Sequence, residues 1–152
     1  MTALLPLLLV DDSVQDIRLT LNALQQCHVS NEVIVCRDGV DALEYLRRQG
    51  QFALRAPRDP AVVLLDIKMP KMDGIQVLKE MRADPKLKRI PVVMLTSSCE
   101  ERDMLQSYDL GVNAYVVKPV DFPQFIMAIK EIGIFWAVIN TPPPSDSGEE
   151  SA

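Results

Sequence analysis

The stretch AVVLLDIKMPKMDG, residues 61–74, decides the fold: an uncharged apolar run ends abruptly in Asp66, and Lys68 follows two residues later. A run of this length, rich in β-branched residues and lacking polar alternation, reads as a strand buried on both faces. Working outward, similar runs occur at 5–10 (LPLLLV), 32–36 (EVIVC), 91–96 (PVVMLT) and 114–117 (AYVV). Between them lie segments of helical period, opening at Ser13, Asp38, Asp73, Ser98 and Asp121, with Ser98 and Glu101 at capping-box spacing. Leu24, Leu43, Leu46, Val77, Leu78, Met81, Leu105 and Ile129 recur at steps of three and four, giving each helix one core-facing stripe.

Strand and helix alternate to the end of this pattern, which predicts an α/β fold: a doubly wound, five-stranded parallel sheet covered on both faces. Right-handed crossovers leave few windings, and the common five-stranded solution is flavodoxin-like, with strand order 2-1-3-4-5. In such sheets ligands bind beyond the carboxyl ends of the strands, where the winding reverses. At that edge the sequence places Asp11 and Asp12 after the first strand, Asp66 at the end of the third, Thr96 and Ser97 at the end of the fourth, and Lys118 with Pro119 after the fifth.

The composition sets limits on function. With 152 residues, 48% of them hydrophobic, the chain carries one sizeable core. A net charge of -5 argues against nonspecific nucleic-acid binding. No apolar run approaches the roughly 18 residues of a spanning helix, and the start lacks a secretory signal, so the expected location is the cytoplasm, away from the membrane. Cys27, Cys36 and Cys99 show no paired metal spacing and are read as buried free thiols. The one histidine, His28, falls at a helix end and is read as a capping or surface group.

Ionised carboxylates about 4 Å apart repel by around 4 kcal/mol at an effective dielectric of 20, so an aspartate cluster needs a cation. A hard divalent ion, Mg2+ or Mn2+, suits oxygen ligands and shares a phosphate oxygen with its substrate. Lys118 and Thr96 suit the equatorial oxygens of a phosphoryl group, and Asp66 is placed to act as a nucleophile on phosphorus. Each residue has a plainer reading: Asp11 and Asp12 as helix caps, Lys118 as a turn lysine, Thr96 bonded to its own backbone. The plain readings weaken because these positions fall at one edge of one sheet.

Together, LLLVDDS (7–13), LLDIKMPKMDG (64–74), VVMLTSS (92–98) and GVNAYVVKPVD (111–121) resemble the receiver domains of two-component response regulators, and the resemblance covers residues 4 to about 131. It implies that Asp66 accepts a phosphoryl group from a sensor histidine kinase. The metal would be held by Asp12, Asp66 and the backbone carbonyl of Lys68, with Asp11 acting through water. Lys118 would pair with the phosphate, Thr96 would move toward it, Tyr115 would swing inward as the switch aromatic, and the Lys118–Pro119 bond would be cis. Lys68 departs from the smaller polar residue often found two places after the acceptor.

The long connection RRQGQFALRAPRDP (47–60), the segment QSYDL before GVNAY, and the closing FPQFIMAIKEIGIFWAVINTPPP resemble the single-domain response regulators that serve cyanobacterial and bacterial phytochromes. A phytochrome partner is an implication of that resemblance alone. The helix from Phe122 to Glu131 is amphipathic, whereas residues 132–139 (IGIFWAVI) have no polar face. That segment either tucks over the core or is buried by a second copy; Phe135, Trp136 and Ile139 are its expected homodimer contacts. The receiver is thus expected to span residues 4–139, with 140–152 a disordered, Pro-rich acidic tail. Nothing after the receiver suggests DNA binding or a catalytic domain, so output is expected through contact with a downstream protein whose identity the residues leave open.

Two other functions compete. An aspartyl-nucleophile phosphatase of the haloacid dehalogenase type also ends a strand in aspartate, but normally needs a second aspartate where Lys68 stands. A receiver-like module that binds its partner without phosphorylation is opposed by the intact acidic pair, Thr96 and Lys118.

Overall fold

Five parallel strands and five helices alternate through residues 5–27, 29–119 and 121–131, which the computed structural model describes. In chain order they are β1 (Leu7–Val10), α1 (Val14–Gln26), β2 (Val33–Cys36), α2 (Gly39–Arg47), β3 (Val62–Leu65), α3 (Gly74–Ala83), β4 (Val92–Thr96), α4 (Glu101–Asp109), β5 (Ala114–Val117) and α5 (Phe122–Glu131). The sheet order is β2-β1-β3-β4-β5, as the sequence predicts.

The register brings the strand ends level. Val10 pairs with Cys36 on one side and Leu65 on the other, and Thr96 pairs with Val117. Because successive side chains point to opposite faces, β1 splits its leucines between two cores. Leu8 and Val10 join Val63, Leu65, Leu78 and Met81 under α2 and α3. Leu7 and Leu9 join Leu64, Leu95, Leu24 and Phe125 under α1 and α5. The central strands are wholly buried, which explains why their sequences show no polar alternation.

Four of the five expected caps form. Ser13, Asp38 and Asp121 each accept a backbone N–H three residues on, and Asp73 makes a full capping box with Gln76. The fourth helix differs. Its N-cap is Glu100, and the capping box expected between Ser98 and Glu101 is absent because the Ser98 hydroxyl donates instead to Asp103 at 2.6 Å. Leu105 also departs from the predicted stripe: it is exposed, and α4 buries Asp103 and Ser107 in its place. Both buried polar groups are satisfied: Asp103 accepts the Ser98 hydroxyl, and the Ser107 hydroxyl donates to the Asp103 carbonyl at 2.8 Å. Along α5, Phe125 is buried and Ile126 packs beside it. The side chains of Phe122 and Ile129 fall outside the described residues.

The connection from α2 to β3 is built around Arg55. Its guanidinium lies 4.2 Å from the Tyr45 ring centroid and donates to the carbonyls of Tyr45 (2.6 Å), Ala56 (2.7 Å) and Arg58 (2.9 Å). Phe52, in a short 3-10 turn, packs edge-on against Tyr45. One arginine thus ties the last turn of α2 to the carbonyls of the loop that follows it. Cys27 and Cys36 are buried free thiols as expected, but Cys99 is exposed, since it lies in the loop before α4. His28, residues 132–139 with Phe135, Trp136 and Ile139, and the tail 140–152 lie outside the described residues.

Candidate functional site

Each strand delivers its polar residue through one last ladder bond. The Asp11 N–H donates to Cys36 (3.1 Å), that of Asp66 to Val10 (2.9 Å), and that of Lys118 to Thr96 (2.9 Å). The side chains that follow therefore converge over the carboxyl edge between β1 and β3. Asp11, Asp12 and Asp66 each offer a carboxylate oxygen, and these oxygens lie within 4.8 Å of one another. Asp11 and Asp66 are buried, while Asp12 is half-buried.

Gly74 explains part of this placement. Its N–H donates to the Ile67 carbonyl at 2.8 Å, and a Cβ there would collide with the carbonyl oxygen of Asp66. The loop from Asp66 to Asp73 can fold back on the acceptor only because this residue has no side chain. Gly39 serves the neighbouring contact, where a Cβ would meet the Met72 carbonyl oxygen. Lys71, in a left-handed conformation (φ 66°), reaches Asp38 at 3.2 Å and ties the same loop to the start of α2.

Lys118 is the hub. The Lys118–Pro119 bond is cis, and its ammonium lies 2.5 Å from Asp11 Oδ2, 3.1 Å from Asp16 Oδ2 and 3.3 Å from Asp66 Oδ2. Burial alone would lower its pKa, but the bonds and charges of Asp11, Asp66 and Asp16 outweigh that and hold it above the usual lysine value. Burial pushes the Asp66 carboxyl upward, Lys118 and the Thr96 hydroxyl pull it back, and the charge of Asp11 helps keep the net direction upward. The other Asp66 oxygen, Oδ1, accepts the Ile67 N–H at 2.8 Å.

The charge balance argues for a cation. Carboxylate oxygens at such separations repel by roughly 3 kcal/mol per pair at an effective dielectric of 20. One ammonium cannot neutralise Asp11, Asp12, Asp16 and Asp66. An all-oxygen set with two buried carboxylates and one more open fits a hard divalent ion that keeps several waters. Arg37 Nη2 donates to the Asp12 carbonyl at 2.8 Å and steadies the backbone of the most open of the three.

Thr96 is wholly buried, and its Oγ1 accepts the Ser98 N–H at 3.2 Å. The Tyr115 hydroxyl donates to the Ser98 carbonyl at 2.9 Å. Lys68, whose side chain the sequence leaves unexplained, points along the same loop: its ammonium stands 3.6 Å from both Glu100 Oε1 and Asp103 Oδ2. The structure therefore gathers Asp11, Asp12, Asp66 and Lys118 at one point and strings Thr96, Tyr115 and Lys68 along the adjoining β4–α4 loop.

Two participants escape sequence reasoning. Asp16 touches Lys118, and Asp103 anchors Ser98 and Lys68. Asp16 stands three residues after the Ser13 cap, a spacing that could have drawn attention to it. Asp103 gives no comparable signal, since an acidic residue in a first helical turn has an ordinary electrostatic explanation.

Comparisons with known proteins find relatives over most of the chain. Residues 7–130 match the family model for the response regulator receiver domain. Response regulator Rcp1 of Synechocystis sp. is 42% identical over 130 residues, 86% of this chain and 87% of that protein. Its Mn(2+)-bound crystal structure superposes with a TM-score of 0.73 at 40% identity, covering 91% of this chain and 99% of the other. The bacteriophytochrome response regulator RtBRR is 59% identical with a TM-score of 0.83, covering 93% of this chain and 85% of the other. The phosphorylated cyanobacterial phytochrome response regulator RcpA is 43% identical with a TM-score of 0.74, covering 94% of this chain and all (100%) of the other.

Proposed function

The chain belongs to the response regulator receiver domain family, and from that premise we propose that it is a single-domain response regulator phosphorylated on Asp66. The observation that carries the reading is the position of the Asp66 carboxylate, buried at a strand end, 3.3 Å from the Lys118 ammonium and clustered with Asp11 and Asp12. A carboxylate oxygen of Asp66 attacks the phosphorus of a phosphohistidine on a sensor kinase. The P–N bond breaks, the imidazole keeps the electron pair and takes a proton, and an acyl phosphate forms. Lys118 holds one of the phosphoryl oxygens and the Thr96 hydroxyl another.

The metal ligands in this proposal are Asp12, Asp66 and the Lys68 backbone carbonyl, with Asp11 acting through water. A bound Mg2+ or Mn2+ supplies charge neutralisation at the phosphoryl oxygens and relieves the carboxylate repulsion. Manganese is present in the Rcp1 structure, which supports a divalent ion here.

Phosphorylation adds contacts available only in one arrangement of the β4–α4 loop, and so biases a pre-existing equilibrium. Thr96 moves toward the phosphate and Tyr115, now held at the Ser98 carbonyl, follows it inward. The cognate kinase is proposed to be a phytochrome, on the strength of the phytochrome response regulators among the relatives. Localisation is proposed to be cytoplasmic; no helix among the described residues is long and apolar enough to cross a membrane. Output passes through protein contact, with residues 132–139 as the proposed homodimer segment.

The haloacid dehalogenase alternative gains no support: Lys68 occupies the place of its second aspartate and directs its ammonium to Glu100 and Asp103. The test is phosphorylation by acetyl phosphate with Mg2+, and by candidate phytochrome kinases, comparing wild type with Asp66→Asn. Base-labile phosphate on the wild type alone supports the reading; equal labelling of both overturns it.

A further inference from the structure

We propose that Asp16 is a positioning residue that competes with the phosphoryl group for Lys118 and so weakens retention of phosphate at Asp66. The inference rests on the phosphoacceptor reading above and concerns a residue outside its set of ligands and switch groups.

The first turn of α1 creates the competition. Ser13 accepts the Asp16 N–H at 3.2 Å, which fixes the Asp16 backbone at the third helical position. In a reciprocal capping box the residue there would turn back to the N–H of the cap. Here Asp11 Oδ1 already accepts the Ser13 N–H at 3.0 Å. The Asp16 carboxylate is thereby released toward the strand ends, where it meets Lys118 Nζ at 3.1 Å.

A lysine ammonium has three protons. At rest three carboxylates, Asp11, Asp16 and Asp66, surround it, and the side chain is 7% exposed, so little water reaches it. Of these three, Asp11 and Asp66 belong to the acidic cluster that a divalent ion would share. Asp16 lies outside that cluster, so its charge stays directed at Lys118 when a cation binds. It is also the most open of the three carboxylates, 35% exposed, and can hold the lysine without a large desolvation cost.

A phosphoryl group on Asp66 replaces the Asp66 carboxylate as one partner of Lys118, while Asp16 continues to share the same ammonium. The full negative charge of Asp16 draws Lys118 away from the phosphoryl oxygen and repels the phosphoryl dianion. Removing that charge while keeping the shape should therefore tighten phosphate retention.

The probe is beryllofluoride, a mimic of the phosphoryl group, titrated in the presence of Mg2+ and followed by 19F NMR on the full chain. Asp16→Asn should bind it roughly threefold more tightly than wild type, the size expected of one partly exposed charge interaction. Asp16→Glu, which restores the charge, should return the affinity toward wild type. Thermal melting of the same proteins separates a helix-capping effect, which would lower the melting temperature of Asp16→Asn and leave its affinity unchanged. Equal or weaker binding by Asp16→Asn overturns this inference alone. Failure of the wild type to bind beryllofluoride overturns the phosphoacceptor reading, and this inference with it.

Discussion

The ammonium of Lys68 stands 3.6 Å from Asp103 Oδ2, the same oxygen that receives the Ser98 hydroxyl at 2.6 Å. The loop after the acceptor strand is thereby tied to the first turn of α4 through a residue that also holds the loop carrying Thr96. The two partners differ in exposure: the Lys68 side chain is 60% exposed and that of Asp103 is 9%. Lys68→Gln should therefore change stability by less than about 1 kcal/mol, as for most exposed ion pairs. Asp103→Ala should cost about 1–3 kcal/mol, because it leaves a buried hydroxyl without its acceptor. Urea denaturation of the two variants checks the contrast.

The pH dependence of stability should carry both signs. The Ser98 hydroxyl, helped by Lys68, holds the Asp103 carboxyl below the usual aspartate value. Its contribution is present above the unfolded value of about 3.9 and is lost as pH falls through the lower folded value. Asp66 runs the other way. Burial raises its carboxyl, so the folded state binds the proton more tightly and stability falls as pH rises from about 3.9 through the raised value. In metal-free buffer Asp66→Asn should be more stable than wild type at neutral pH, and the difference should shrink on acidification. Urea midpoints from roughly pH 2 to 7, a range that spans the aspartate window on both sides of about 3.9, measure both effects: the Asp103 contribution below that value and the Asp66 contribution above it.

Magnesium should raise the melting temperature of the wild type, since a ligand that binds only the folded state stabilises it by mass action. Asp12→Asn should fold normally, its carboxylate being the half-buried member of the cluster, and should lose the magnesium-dependent increment. Differential scanning calorimetry with and without the ion tests this; an undiminished increment would remove Asp12 from the ligand set.

Gly74→Ala places a Cβ against the carbonyl oxygen of Asp66. The backbone of the acceptor itself must shift to admit it, so the variant should lose about 1–3 kcal/mol of stability. It should also accept phosphate from acetyl phosphate far more slowly. Normal labelling in a destabilised variant would show that the close packing serves the fold and not the site.

The apolar segment 132–139 is proposed to be covered by a second copy. Trp136→Ala should then lower the apparent mass in light scattering at micromolar concentration. An unchanged mass would assign the segment to the core of its own chain.

The strands were legible because buried parallel strands must be apolar on both faces, and their order because right-handed crossovers leave few windings. The positions of Asp11, Asp12, Asp66, Thr96 and Lys118 followed from the same fact: a carboxylate or lysine can end such a run only at its edge. Helix α4 was misread because its stripe depends on what it covers. Leu105 has the spacing of a core residue, yet α4 buries Asp103, which accepts the Ser98 hydroxyl, and Ser107, which donates to the Asp103 carbonyl. Pairings across the site were equally out of reach. Lys68 meets Asp103, and Lys118 meets Asp16 across 102 positions, distances in sequence that no local pattern records. The sequence by itself determined which residues stand at the sheet edge, through periodicity and turn chemistry. The tertiary structure alone decided which of them share a proton or a charge, because that depends on ångström separations set by the packing of all five strands and their helices.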